Sequence, residues 1–116
     1  MAAVLAEDAI WWISPSVPQE IIPSRCVGRE ALREAARRVF GQVYQGEAVR
    51  IEVHSAISEG SLGTVRFAMS TEFVGGGSYS NEYCVCVETR DDEISRVWEY
   101  VDVALVMMQM PKAGSG

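Results

Sequence analysis

One change of period constrains the fold more than any other feature of the chain. From Gly28 onward Leu32, Ala35, Ala36, Val39 and Phe40 recur at helical spacing, while Arg29, Arg33 and Arg37 repeat every four residues on another face. This predicts a helix over residues 29–42, with the arginines on a solvated face. After Gly46 the period drops to two. Val49, Ile51 and Val53 alternate with Arg50, Glu52 and His54 up to a turn at residues 58–61. Residues 64–73, 79–89 and 94–106 read as three further strands, divided by Gly75-Gly76-Gly77 and by the acidic turn at residues 91–93. Four consecutive antiparallel strands present a face that must be covered, which predicts a strongly bent sheet with helices on its concave side.

Upstream of the helix, residues 1–9 read as the tail of another helix, with Val4 and Leu5 apolar and Glu7-Asp8 closing it. Residues 10–13, Ile-Trp-Trp-Ile, read as a short buried strand. Pro15, Pro18 and Pro23 then impose a loop, because proline removes a backbone donor. A chain of 116 residues, 48% hydrophobic and 22% charged, has room for one core. The expected organisation is a single domain over residues 1–110 followed by a flexible tail over residues 111–116.

Composition excludes several functions. A net charge of -6 opposes binding to a phosphate backbone, which needs clustered positive charge, so nucleic acid is not an expected partner. The apolar run at residues 103–108 is far shorter than the roughly 20 residues that span a bilayer, and no basic, apolar leader opens the chain. No membrane partner is expected, and a cytoplasmic location is. Cys26 stands alone, and Cys84-Val85-Cys86 lacks the two-residue gap of a zinc knuckle, which argues against a metal. On one strand face Cys84 and Cys86 lie roughly 6.5–7 Å apart, at the edge of disulfide geometry, so free thiols are expected. Ser70, Ser78 and Ser80 have no Gly-x-Ser-x-Gly context, and no phosphate-loop lysine follows the glycine run, which reads as a flexible turn or a lip at a cavity mouth. No cofactor signature is present.

Five segments carry a family resemblance: Leu5-Ala6-Glu7-Asp8-Ala9-Ile10-Trp11-Trp12, Gly28-Arg29-Glu30-Ala31-Leu32, Ser58-Glu59-Gly60, Tyr79-Ser80-Asn81-Glu82-Tyr83-Cys84, and the acidic turn and strand at residues 91–102 that end in Glu99-Tyr100-Val101-Asp102. In order and spacing they resemble the SnoaL-like proteins of the nuclear-transport-factor-2-like superfamily, which also holds ketosteroid isomerases, limonene epoxide hydrolases and polyketide cyclases. The resemblance implies an α+β fold, a cone-shaped barrel in which a bent, mainly antiparallel sheet wraps around helices. Members of the family carry one more full helix before the Ala6-Glu7-Asp8-Ala9 segment, most of which this sequence lacks.

The resemblance also implies a site. It points Val97, Glu99 and Val101 inward from the last strand, Glu82, Cys84 and Cys86 from the third, and Arg66, Ala68 and Ser70 from the second, with Trp12 or its neighbour Trp11 at the narrow end. Such a pocket suits a small apolar ligand. The isomerases' carboxylate base has no counterpart beside Pro15, where Ile13 and Ser14 stand, and their protonated aspartic acid corresponds to Cys84. Of the epoxide hydrolases' pattern, Arg66 remains, Ala68 replaces one carboxylate and Glu99 stands for the other. Glu99 is therefore the candidate acid–base residue, with Arg66 as its orienting partner or as an oxyanion stabiliser. Alone in an apolar cone Glu99 would have a raised pKa; a bridge to Arg66 would lower it, and a Glu82–Arg66 pair would release it.

Two readings stay open at this point. One is an isomerase, cyclase or hydrolase acting on a small hydrophobic molecule. The other is a non-catalytic binding or dimerisation module that has lost the family's carboxylates. His54 is expected on a solvated face or at a subunit interface. Trp98 and Tyr100 point away from Glu99, onto an outer face expected to include Tyr83, Val85 and Val87; a face this apolar predicts a homodimer.

Overall fold

The computed structural model of the chain describes residues 4–17 and 24–109. In chain order they form β1 (Val4–Ile13), β2 (Arg25–Val27), α1 (Arg29–Arg38), β3 (Arg50–Glu59), β4 (Leu62–Glu72), β5 (Ser78–Arg90), β6 (Glu93–Val101) and α2 (Val103–Gln109). The strands make one sheet in the order β2-β1-β6-β5-β4-β3, open at its β2 and β3 edges. Neighbours run antiparallel except β1 and β6, which are parallel. The predicted meander is present, and the sheet curves around α1 as an α+β cone. The expected tail at residues 111–116, Pro18 and Pro23 lie outside the described residues.

β1 is longer than the sequence predicts. The segment expected to end a helix is extended, and it is continuous with the Ile10–Ile13 strand. Alanines and acidic residues favour a helix locally, but pairing with β6 buries Ala6, Ala9 and Ile13 to 4% exposure or less. Between Leu5 and Ile10 the strand bulges, spanning five residues where β6 spans two. Ala6, Ala9 and Leu32 of α1 form a small core of their own. Gly28 donates its N–H to the Ala9 carbonyl at 2.8 Å and starts α1 at φ +97°, a conformation that a side chain would strain.

The helix expected over residues 29–42 ends as α-helix at Arg38 and continues as a wide π-helical turn over Val39–Val43. That turn closes with the Tyr44 N–H on the Val39 carbonyl at 2.9 Å and delivers the Tyr44 ring to the main core. Arg33 and Arg37 pair with Glu30 and Glu34 one turn back, as an exposed face does. Arg29 differs: its Nε donates to the Leu5 carbonyl at 2.9 Å, tying α1 to β1.

The last strand is shorter than expected. β6 stops at Val101, and the apolar run after it is helical, because the Asp102 carboxylate accepts the Leu105 N–H at 3.1 Å and caps α2. Gln109 then clips α2 to β5, exchanging two 2.8 Å hydrogen bonds with the Ser80 backbone. Val106 reaches the main core with Val39, Tyr44, Met69, Phe73, Tyr79 and Tyr83. The glycine run closes the β4–β5 hairpin, with Gly76 and Gly77 at φ +99° and +98°. All three cysteines are free, and no helix among the described residues is long and apolar enough to cross a membrane.

Candidate functional site

Between the concave face of the sheet and α1 lies a cavity of about 550 Å³, within the range of small-molecule sites. β1 supplies Trp11 and Ile13, β4 Val65, Phe67 and Met69, β5 Tyr83 and Val85, and β6 Glu99 and Val101. α1 and the π-turn close it with Leu32, Ala35, Ala36, Val39 and Phe40, and Cys26, Tyr44, Ile51 and Val106 complete the wall. Burial holds the Cys26 thiol above its ordinary pKa, so it serves as a small apolar wall group.

Glu99 is the carboxylate of this wall. The parallel pairing places Trp11 beside Val97 and Ile13 beside Glu99, so the Trp11 indole reaches across to donate from Nε1 to Glu99 Oε1 at 3.1 Å. Burial pushes the Glu99 pKa above the usual carboxylate range, and the Trp11 hydrogen bond only partly opposes it. An anion held by one neutral donor in an apolar wall is poorly compensated, so the carboxyl keeps its proton to higher pH.

Arg33 also lines the cavity, and the remaining polar side chains of the wall are the Tyr44 and Tyr83 phenols, which adjoin Tyr79 behind the wall. Tyr79 and Tyr83 hydroxyls lie 2.7 Å apart, and Asn81 Nδ2 donates to the Tyr79 hydroxyl at 3.0 Å. Tyr44 packs at a tilt on Tyr79 with ring centroids 5.0 Å apart, and Tyr83 stacks on Phe67 at 5.2 Å. Desolvation first, then the neighbouring phenols, push the Tyr44 and Tyr83 pKa values far above that of a free tyrosine, so both stay neutral. Sequence reasoning missed this cluster. Its signal is the run Tyr79, Asn81, Tyr83 at every second position of one strand, which places all three on one face.

The inward sets expected from β4 and β5 are reversed. Arg66, Ala68 and Ser70, with Glu82, Cys84 and Cys86, lie on the sheet face opposite Glu99, and their neighbours Val65, Phe67, Met69, Tyr83 and Val85 face the cavity. The cause is one bulged residue. At the β5–β6 turn Arg90 pairs with Glu93 and Thr89 with Ile94, but Glu88 pairs with Arg96, so Ser95 has no counterpart. Ser95 donates its hydroxyl to the Glu88 carbonyl at 3.1 Å there. Beyond the bulge Val85, rather than Cys84, stands opposite Glu99, and a one-residue slip exchanges the two faces of a strand. Glu99 and Arg66 are therefore on opposite sides of the sheet. Val97 and Val101 share the Glu99 face as expected; Val97 is fully buried there, and Val101 lines the cavity.

On the outer face Trp12 lies against Tyr100, ring centroids 5.2 Å apart, so of the two tryptophans it is Trp11 that meets the cavity. The Arg96 guanidinium sits 5.8 Å over the Trp98 ring. Tyr83, Val85 and Val87, expected outside, share the Glu99 face instead. His54 Nε2 lies 3.1 Å from Glu82 Oε1, which accounts for the single imidazole on this same face. Among the described residues no three His, Cys, Asp or Glu side chains cluster as a metal site requires.

Residues 1–97 match the family model of the SnoaL-like domain. The chain matches no curated protein. Among solved structures it is similar to an NTF2-like protein of unknown function from Burkholderia pseudomallei, at 15% identity and TM-score 0.82, covering 94% of this chain and 81% of that one. It is also similar to TerC co-crystallised with polyporic acid, at 13% identity and TM-score 0.78, over 90% and 78% of the two chains. A third likeness is to IdmH from Streptomyces antibioticus, described as a candidate polyketide cyclase, at 16% identity and TM-score 0.70, over 91% and 81%. At these identities the likeness shows the fold alone.

Proposed function

The chain belongs to the SnoaL-like family, and we propose that its cavity binds a small, mostly apolar molecule on which Glu99 acts as an acid–base residue. The observation that carries this reading is the Glu99 carboxyl itself, set in an apolar wall with one neutral donor and a raised pKa. A carboxyl tuned upward exchanges a proton closer to neutral pH, which is what general acid–base catalysis needs. One carboxyl suits an isomerisation or cyclisation, in which a proton is taken from one atom and returned to another. It does not suit the paired acid and base of epoxide hydrolysis, since Ala68 is not a carboxylate and Arg66 lies on the other face. The likeness to IdmH, described as a candidate polyketide cyclase, supports the same class. The three free thiols fit a cytoplasmic setting, which is part of the proposal.

The test is thermal stabilisation of the wild type and Glu99→Gln by a panel of small epoxides, enones and polycyclic ketones, followed by turnover assays of whatever binds. A ligand whose stabilisation is unaffected by the mutation, and whose turnover is equal in both proteins, would remove Glu99 from the mechanism.

A second reading, a non-catalytic binding or dimerisation module, draws on the outer face. Tyr100 is 47% exposed and lies with Trp12 and Trp98 on a face that also carries Ile57, 72% exposed. We propose that this face packs on a second copy of the chain. Light scattering at micromolar concentration tests it, and a mass of one chain would count against it.

A further inference from the structure

We propose that β3 is a self-complementary edge, along which a second copy of this chain adds its own β3 antiparallel, with Arg50 of each copy opposite Glu59 of the other. The inference is independent of the role of Glu99 and of packing through the outer sheet face.

β3 is the long open edge of the sheet. β2 closes the other side with three residues, whereas β3 runs for ten, has β4 as its one neighbour in the sheet, and is exposed at every position. A free strand edge presents unpaired N–H and C=O groups, which proteins ordinarily blunt with proline, lysine, an inward charge or a bulge. β3 has neither proline nor lysine. Its residues on the cavity face are Ile51, Val53, Ala56 and Ser58, opposite Met69, Phe67, Val65 and Gly63 of β4, and none is charged. Ile51 and Val53 are each 59% exposed there.

A bulge is present, and its position reverses its usual effect. Val53 pairs with Phe67 and Ser55 with Arg66, so His54 is the extra residue, and its ring is held on the outer face by Glu82. Before the bulge Arg50 and Glu52 pair with Ser70 and Ala68; after it Ile57 and Glu59 pair with Thr64 and Leu62. These four partners stand at even-numbered positions of β4, which has no bulge against β5. Arg50, Glu52, Ile57 and Glu59 therefore share the outer face and one hydrogen-bonding phase. Ile51, Val53, Ala56 and Ser58, opposite odd-numbered residues, share the cavity face and the other phase.

Self-pairing centred between His54 and Ser55 sets Arg50 opposite Glu59 of the second copy, Ile51 opposite Ser58, Glu52 opposite Ile57 and Val53 opposite Ala56. Both members of each pair have the same face and the same phase, so the two sheets join with their faces continuous. Without the bulge, residues 50 and 59 would lie on opposite faces and this register could not form. Charge singles the register out. It makes the Arg50–Glu59 pair twice, whereas a slip of two residues one way sets Glu52 against Glu59, and the other way leaves Arg50 against Ile57. Within one copy Arg50 meets the adjacent Val49 carbonyl at 3.3 Å, and neither it nor Glu59 forms an ion pair among the described residues. Ile51 also lines the cavity, so the pairing brings Ser58 of the second copy to the cavity rim.

Sedimentation equilibrium of the full chain over a range of concentrations tests the pairing, together with isotope-filtered NOE spectra of mixed labelled and unlabelled copies. Wild type is expected to dimerise reversibly, with methyl contacts between Val53 of one copy and Ala56 of the other. Arg50→Glu and Glu59→Arg are each expected to weaken the dimer about tenfold, since two attractive pairs become two repulsive ones. The double variant Arg50→Glu/Glu59→Arg is expected to recover wild-type association. Thermal melts of the dilute variants are expected to match the wild type, which reports an intact fold. A mass of one chain at every concentration would overturn the inference. Single variants that dimerise as tightly as the wild type would also overturn it, as would a double variant no tighter than the single ones. Contacts between copies confined to Trp98 and Tyr100 would overturn it too, while supporting packing through the outer face.

Discussion

Trp11 and Glu99 meet across the parallel pairing of β1 with β6, indole Nε1 to carboxyl Oε1 at 3.1 Å. The bond joins a strand whose first half the sequence disguised as a helix to the acid that the sequence made conspicuous. It also holds the carboxyl against the cavity wall while its pKa is raised.

Because the folded-state pKa of Glu99 lies above its unfolded value near 4.3, the folded protein retains a proton that the unfolded chain releases. The stability tied to this group is full below the unfolded pKa and declines as pH rises through the folded pKa. Glu99→Gln has no proton to lose. Its melting temperature is expected to gain on the wild type between pH 4 and pH 8, and thermal melts across that range that show a constant gap would refute this.

Trp11→Phe keeps an aromatic wall but removes the donor. The Glu99 pKa is then expected to rise further, since burial acts unopposed. A carbon-13 titration of the side-chain carboxyl reads this directly, and a downward shift would mean that the indole is not what stabilises the anion.

The main core tolerates less. Phe73 is 2% exposed and packs on Tyr44 and Tyr79 with ring centroids 5.6 and 5.5 Å apart. Phe73→Ala is expected to cost about 3–5 kcal/mol in urea unfolding. Ile57→Ala, at a residue 72% exposed, is expected to stay within about 0.5 kcal/mol in the isolated chain.

Gly28 starts α1 at φ +97° and ψ 143°, in a region closed to side chains. Gly28→Ala is expected to destabilise the fold by about 1–3 kcal/mol. The built Cβ would stand 3.9 Å from the Glu7 carbonyl, an ordinary contact, so the cost is conformational rather than steric crowding. An unchanged unfolding midpoint would show that the turn relaxes.

Much of the fold was legible because period two persists through β3, β4, β5 and the start of β6, and because Leu32, Ala35 and Val39 mark the buried side of the helix. Glu99 was legible too, as the carboxylate set between Val97 and Val101 in a strand whose alternation survives. The partners of Glu99 were not. Parity on β5 depends on whether Ser95 is counted in the ladder, and nothing local to Cys84 or Val85 records that choice. β1 was misread because Ala6, Glu7, Asp8 and Ala9 favour a helix on their own, while the ladder that overrides them is formed by residues almost ninety positions later. The Tyr79, Asn81 and Tyr83 cluster needs three dimensions, since the Asn81 amide is held by the Asp102 carbonyl at the end of another strand.

The pairing of β1 with β6 has a kinetic side. Every other strand of the meander closes onto a neighbour one short turn away, whereas β1 pairs with the last strand, so Trp11 finds Glu99 only by closing a loop of 88 residues. Loops of that length close late, and they raise the mean sequence separation on which folding rate depends. During synthesis β3, β4 and β5 can already have assembled while β1, paired only with β2, still waits with its other edge open. The candidate site is therefore complete only when the two ends of the described chain meet.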